Sequence, residues 1–517
     1  MFPVNTRRRT QSISIPAPVG GLNDRDSIAD MPETDAIQLD NWFPGTTSVS
    51  VRGGCVQFAT GLSQTGESLM AYNGFYGGSS VKKLFAAAGG NIYDATAGGS
   101  LTAIATGMTN ARWDYCNFSN SGAAYLVAVN GANLPQFYNG NTWTASGSGY
   151  ATAITGLPTG AVLSQVSVWK KRLFFVQKNS LSCWYLAAGA IGGAAQQLDF
   201  SGVAKLGGYL IATYTSTSTA GFSLDDYFVA LTSEGEVLIY GGTDPSNAST
   251  FALIGNYRLG RPIANGSDNM GGRWLTKYAS DIVAITASGL STLQAVMNDD
   301  VMAQQSTINR KITNSVTNVV TSYASNFGWQ ALVCPMQNKL IINVPTSPDN
   351  TQSFQFVMNT ITGAWTKFIG WNATCFEYFS DTIYAIIGTA IYQMDIPAAN
   401  DFVTGTSSGN PIIANAKSAF IYAGGREQNK SFKMARPMLI TKQGIVPYFN
   451  INVNLRDDAI TGAADVHPGI GNQMVWGQST WGGANWGNDN IQYLNWLTVN
   501  GIGYCAAIKL QVQCQAN

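Results

Sequence analysis

The sequence predicts an all-β chain: a β-propeller of about seven blades, with an inserted helix and a C-terminal β-sandwich-like module. Three observations carry this. Strand-length runs of β-branched and aromatic residues, bounded by Gly, Asn, Asp and Ser, dominate the chain. One such run recurs seven times, starting at Leu84, Leu126, Leu173, Phe228, Ile282, Leu340 and Ile383, at intervals of 42, 47, 55, 54, 58 and 43 residues. Periods near 40–50 residues with four strands each mark propeller blades. Composition agrees: 517 residues, 56 of them Gly, 45% hydrophobic and only 11% charged, against about 25% charged in an average domain. Few charges and many turn formers suggest a β-rich chain whose surface is partly covered by other subunits; a secreted or cell-surface β-protein is the rival reading.

The elements follow in chain order. Residues 1–47 read as an extended arm rich in Pro and Gly. Residues 48–395 hold the propeller. Its first clear unit contains "KLFAAAGGNIYD" (Lys83 to Asp94) and its last "TIYAIIGTAIYQMD" (Thr382 to Asp395), the same strand–turn–strand shape at opposite ends of the repeat. The small residues Ala86 to Ala88 suit a crowded inner strand near a central axis. In the sixth unit, "ALVCPM", "LIINVP", "SFQFVMN" and "AWTKF" give four strands in succession. The seventh unit lacks an outer strand, and the run Ser48 to Leu62 has strand character with no unit of its own. Pairing the two would close the ring, since an unclosed propeller leaves sheet edges open. Ile308, Ile312, Val316 and Val319 or Val320 recur at helical spacing, after Asp299 and Asp300 at the favourable end of the helix dipole. This predicts a helix over about 301–322. Residues 396–409 read as a linker and 410–517 as a separate β module.

Most catalytic chemistry is unsupported by the residues present. The one histidine, His467, precedes a proline in a loop and no G-x-S-x-G elbow occurs. No calcium-loop or P-loop spacing is found; "GGSSVKK" near Gly77 lacks it. Adjacent carboxylates such as Asp225 and Asp226 point to opposite faces of a strand, so they make no acid/base pair. Seven scattered cysteines without a C-x-x-C pair read as buried thiols of a protein made in the cytoplasm. No catalytic, cofactor or metal residue is assigned. Lysine plus arginine equals aspartate plus glutamate, 29 each, which argues against tight nucleic-acid binding. No apolar run reaches the roughly 20 residues of a membrane span, and the N-terminus has no apolar core of a secretory signal. Candidate contact residues are Arg7, Arg8 and Arg9, Trp42 and Phe43 in the arm, and Trp476, Trp481 and Trp486 in a Gly-rich tract that also includes a fourth nearby Trp, Trp496. Such tryptophans pack interfaces or stack on sugars.

The arm "PAPVGGLNDRDSIADMPETDAIQLDNWFPGTTSVSVRGG", Pro16 to Gly54, resembles the N-terminal segment of tail proteins from tailed bacteriophages. There a comparable "P-GG-N--D----M---DA--L-NWFP" run precedes "V--R-G" and propeller-like units. The overall plan is similar to the tail nozzle, or packaged-DNA stabilisation, proteins of short-tailed phages. The resemblance implies a structural virion protein, without cofactor. It would form a hexameric ring below the portal and adaptor that retains the packaged genome and conducts double-stranded DNA without sequence preference. The alternatives are a receptor- or glycan-binding tail protein using the Trp-rich tract and, further off, a propeller glycoside hydrolase.

Overall fold

A computed structural model describes residues 11–218, 225–247, 249–263, 272–278, 281–297, 308–397, 400–441, 445–458, 460, 491–494 and 496–514. The chain divides into two bodies. One comprises Arg52–Gly363 and Lys367–Asn410, the other Met1–Val51, Ala364–Thr366 and Pro411–Asn517.

The larger body is a β-propeller. Seven antiparallel units follow one another: residues 66–105, 114–145, 163–199, 210–258, 275–292, 330–368, and 375–396 with 54–60. Six of them have four strands among the described residues. The fifth has three, Leu275–Tyr278, Asp281–Thr286 and Gly289–Thr292. The fourth strand of the sixth unit, Trp365–Phe368, is split by the division between the bodies. Each of the seven recurring runs of the sequence is the second strand of its unit, for example Ser79–Ala88, Arg172–Gln177 and Thr382–Ile387. First strands lie beside first strands of the next unit through most of the circuit, and the last neighbours the first. The inner wall is therefore the first strand of each unit. Ala86 to Ala88 lie on a second strand, and their smallness serves packing between blades rather than crowding at the axis.

The core sits between blades. Leu84, Ala86, Ala88 and Tyr93 of blade 1 pack on Phe379, Tyr384, Ile386 and Ile391 of blade 7. Met70, Phe85 and Ile92 pack on Trp113, Leu126 and Tyr138 of blade 2. A middle strand thus has a neighbour on both faces, which is why its residues read as an unbroken apolar run instead of an alternating one.

Ring closure occurs as the unpaired seventh unit required. Ala390–Ile396 pairs antiparallel with Gly54–Thr60, in the register Ala390↔Thr60, Ile391↔Ala59 and Met394↔Cys55. The closing strand is shorter than Ser48 to Leu62, because Val49–Val51 turns away to pair with Trp42–Pro44 in the other body. The two motifs at the ends of the repeat are the hairpins of neighbouring blades. Residues 396–409 are no loose linker: Val403 donates to the Cys55 carbonyl at 3.0 Å, and Gln57 to the Val403 carbonyl at 2.7 Å.

The helix is Thr313–Tyr323, preceded by a 3-10 turn at Arg310–Ile312. It is shorter than expected; residues 298–307, with Asp299 and Asp300, lie outside the described residues. Ile312, Val316 and Val320 are buried, the face that the helical spacing indicated. The helix packs beside Gly289–Thr292, the last strand of the three-stranded blade, and so covers its edge. The Trp329 indole N–H donates to the Tyr323 carbonyl at 2.9 Å and ends the helix.

In the smaller body, Asp35–Asp40 pairs with Ile412–Ser418, which pairs with Ala506–Cys514, and that strand with Ile445–Val453. Residues 35–40 of the arm are thus not a free extended connector but part of the sheet of the C-terminal module, and 42–44 form a separate two-stranded ribbon with Val49–Val51. The segment before them is held too. The Asn23 amide donates to the Asp35 carboxylate at 2.7 Å and its side-chain oxygen accepts from the Arg25 and Asp26 amides. Gly21 has φ +81°, and a Cβ there would come within 2.6 Å of the Trp365 carbonyl, so only glycine fits.

Candidate functional site

Two constellations of polar side chains in the propeller stand out, and neither is visible as a motif. The first fastens the ring. Arg52, at the start of the closing strand, makes a two-pronged ion pair with Asp401, Nη1 to Oδ1 at 2.8 Å and Nη2 to Oδ2 at 2.6 Å. Its guanidinium also donates to the Ile369 and Gly53 carbonyls and lies 4.4 Å from the Trp371 ring centre. The Trp371 indole N–H donates to Asp401 at 3.0 Å. The Arg52 side chain has no exposed surface. Beside it, Asp395 pairs with buried Lys339 and accepts the Gly53 amide at 2.8 Å. A Cβ on Gly53 would sit 2.5 Å from the Asp395 carbonyl carbon. The chain passes so close that only glycine is accommodated. Cys55, in the same place, accepts the Phe402 amide and is pushed up to about 12 by burial, an inert thiol.

The second lies on the inner wall. Side chains on first strands tie blade to blade. Gln165 bonds the Thr213 amide and carbonyl at 3.0 and 3.2 Å, Gln330 the Phe376 amide and carbonyl at 2.8 and 2.7 Å, and Thr374 the Gly66 carbonyl at 2.6 Å. The Asp114 carboxylate of blade 2 accepts amides from Val166 (3.1 Å) and Gly272 (2.9 Å). Arg273, preceding blade 5, reaches to blades 1 and 2, donating to the Glu67 carbonyl at 2.7 Å, to the Ser68 hydroxyl and to the Trp113 carbonyl at 3.3 Å. A guanidinium therefore spans the interior of the propeller. Phe327 lies 4.2 Å from Arg112 and 5.5 Å from Arg273, and Arg112 pairs with Glu67 at 3.0 Å.

Burial sets the proton affinities. Asp114 and Glu377 keep some accessible surface but are walled in by neighbouring strands. Desolvation raises Asp114 from 3.8 to about 6 against the pull of its two amides and Arg273, and Glu377 from 4.5 to about 7 against Tyr115, the Tyr378 amide and Arg273. Burial and the Glu377 charge push Tyr115 well above the ordinary phenol range. The phenol therefore stays protonated and faces Glu377 as a donor. Both carboxyls hold protons at pH values where an unfolded chain has released them. Stability should thus fall as pH rises from about 4 to about 7 and level off above. Urea midpoints at pH 5 and pH 8 measure this; the E377Q variant should lose a large part of the difference. A midpoint equal at both pH values would contradict the assignment.

The residues singled out in the sequence fall differently. Trp42 is 7% exposed, and its carbonyl accepts the Thr366 hydroxyl; it offers little contact surface, because Trp42 and Pro44 share the buried side of a three-residue strand. Phe43 is half-buried. Arg7, Arg8, Arg9, His467, Trp476, Trp481 and Trp486 lie outside the described residues. Trp496 is 52% exposed, with Arg436 5.0 Å from its ring. All seven cysteines are free, five of them buried and Cys116 and Cys514 half-buried. Among the described residues no three His, Cys, Asp or Glu side chains converge as metal ligands, and no helix is long and apolar enough to cross a membrane.

No family model and no curated protein matches this sequence. Among solved structures, the chain is similar to BBS1N crystallised in complex with ARL6DN, at 12% identity over 68% of this chain and 99% of that one, with a TM-score of 0.38. It is similar to Raptor of Chaetomium thermophilum at 11% identity over 71% and 30% of the two chains, with a TM-score of 0.39. The WD40 β-propeller domain of Doa1 gives 10% identity over 65% and 96%, with a TM-score of 0.37. The strand order and ring closure of the chain itself make it a β-propeller with an inserted helix and additional sheets.

Proposed function

We propose that this protein is a structural component of a short-tailed phage tail, of the nozzle type. It would act as a rigid wall element in a hexameric ring below the adaptor, retaining the packaged genome and conducting it during ejection. The observation that carries this reading is what the phage-like segment does in the fold. Asn23, Asp35 and Gly21 fix the arm within the sheet of its own body, while Arg52 and Gly53 lock the propeller shut. The residues that bear the resemblance are thus architectural rather than catalytic, as expected of a part that must hold shape under load. The interior of the propeller supports the same reading. Arg273, preceding blade 5, reaches blades 1 and 2 with Phe327 beside it, so a duplex would pass along the axis of the assembled ring, not through a single propeller. A zero net charge suits passage without grip.

Electron microscopy of the purified protein should show rings. Phage particles lacking it should package DNA and then lose it, and the loss should be repaired by adding the protein back. Particles that keep their DNA and fail only at cell attachment would overturn the nozzle reading in favour of a receptor-binding role.

A further inference from the structure

We propose that a cleft between blades 1 and 2 binds a neutral saccharide. The cleft has a volume of about 390 Å³, within the range of small-ligand sites. Three hairpin turns form it: 77–78 of blade 1, and 120–123 and 139–142 of blade 2. Its walls are the aromatic side chains of Phe75, Tyr76, Tyr125 and Tyr150, together with Asn139 and turn glycines. No Asp, Glu, Lys or Arg is among the described lining residues.

The local sequence builds this shape. Gly77 and Gly78 both have positive φ, +57° and +80°, the requirement of a two-residue hairpin turn. A Cβ at either would meet nothing within 4 Å, so these glycines leave open space at the rim. Gly140 has φ +95°, and a Cβ there would lie 2.7 Å from the Tyr76 Cβ, so this glycine lets Tyr76 settle against blade 2. The Asn141 amide reaches the Tyr76 hydroxyl at 3.4 Å. On the facing wall Tyr125 and Tyr150 stack with ring centres 6.1 Å apart and planes 27° from parallel. The Tyr150 hydroxyl is held between the Phe137 and Thr142 carbonyls, at 2.7 and 2.9 Å.

Three features select the ligand. Phe75 and Tyr76 are 43% and 46% exposed at the end of a strand whose other aromatic, Tyr72, is fully buried, so each keeps a large aromatic face that no other described residue covers. Flat aromatic faces of this kind match the C–H faces of a sugar ring. Within the cleft the Tyr125 hydroxyl and the Asn139 amide NH₂ take no protein partner among the described residues, leaving an acceptor/donor and a donor for sugar hydroxyls. The uncharged lining gives nothing to pair with a carboxylate or phosphate, since burying an unpaired ion is costly. The site rests on described residues of the propeller alone and is independent of the nozzle reading.

The test is calorimetric titration of the full chain with three sets of probes. The first is neutral gluco-, galacto-, manno-, rhamno- and N-acetylhexosamine trisaccharides. The second is sialyl- and uronic-acid-containing trisaccharides, and the third a proline-rich peptide. At least one neutral trisaccharide should bind. The Phe75→Ala/Tyr76→Ala variant should weaken it by about tenfold or more, with an unchanged melting temperature because both side chains are exposed. Tyr125→Phe should weaken it by a smaller factor, and replacing Trp476, Trp481 and Trp486 with Ala should leave it intact. Binding of no neutral probe, of acidic probes or the peptide alone, or binding that survives the Phe75/Tyr76 substitutions would overturn the proposal.

Discussion

Replacing Arg52 with Ala should destabilise the propeller by about 3–5 kcal/mol, the loss expected when one partner of a buried ion pair is removed. The change strands the Asp401 carboxylate, which is 9% exposed and left with the Trp371 indole as its side-chain donor. It also removes the guanidinium from the Ile369 and Gly53 carbonyls and from the Trp371 ring. The pair acts as a unit, so the R52A/D401N double variant should lose less than the sum of the two single changes. Arg52→Lys should fall between wild type and Ala: it keeps the charge but cannot supply two parallel N–H donors to one carboxylate. Urea unfolding of wild type and the four variants gives the comparison. A loss under about 1 kcal/mol in R52A would show that the pair is no more than a surface-like contact and that closure rests on backbone pairing alone.

Removing the closing strand should be more severe still. A chain lacking residues 1–62 loses Cys55 and Ala59 from the interior, the whole ladder from Ala390↔Thr60 to Ile396↔Gly54, and Arg52. Blade 7 would then keep three strands and present an open edge. The expected loss is on the order of 5 kcal/mol or more, comparable with the entire net stability of an ordinary domain. The cooperative transition should disappear, and the protein should aggregate through the exposed edge. A chain lacking residues 1–15 should melt like the full protein, since residues 11–14 are exposed and, among the described residues, the first strand is Gly21–Leu22. A synthetic peptide spanning residues 48–62 should restore part of the lost stability by adding the strand in trans. An unchanged melting temperature in the long truncation would refute closure by this strand.

The contrast between these two predictions shows where the sequence stops. The closing strand was legible in the chain, because a propeller needs every blade paired, the seventh unit lacked an outer strand and one strand before the first unit had no unit of its own. The seven second strands were legible for a related reason: burial on both faces imposes unbroken apolar runs, and such runs recur at blade spacing whatever the contacts. The buried face of Thr313–Tyr323 was legible because helical spacing is a local property. The Arg52–Asp401 pair was not, since its members stand 349 positions apart and nothing local distinguishes Arg52 from any other arginine. The polar inner wall was equally hidden. Asp114, Gln165, Gln330 and Glu377 occupy strands that look unexceptional and Arg273 a turn before one, and only the circular arrangement brings them together. Trp42 looked like a contact residue and is core, because a three-residue strand carries too little pattern to show which face it buries. The aromatic cleft joins turns from two blades, and in sequence it is small, amide and aromatic residues scattered from Phe75 to Tyr150. Composition and periodicity determined the architecture of this protein, because both record burial one strand at a time. Which charges meet, which side chains cross the interior and where a surface is left open were decided only by tertiary structure, because each depends on distances between residues far apart in the chain.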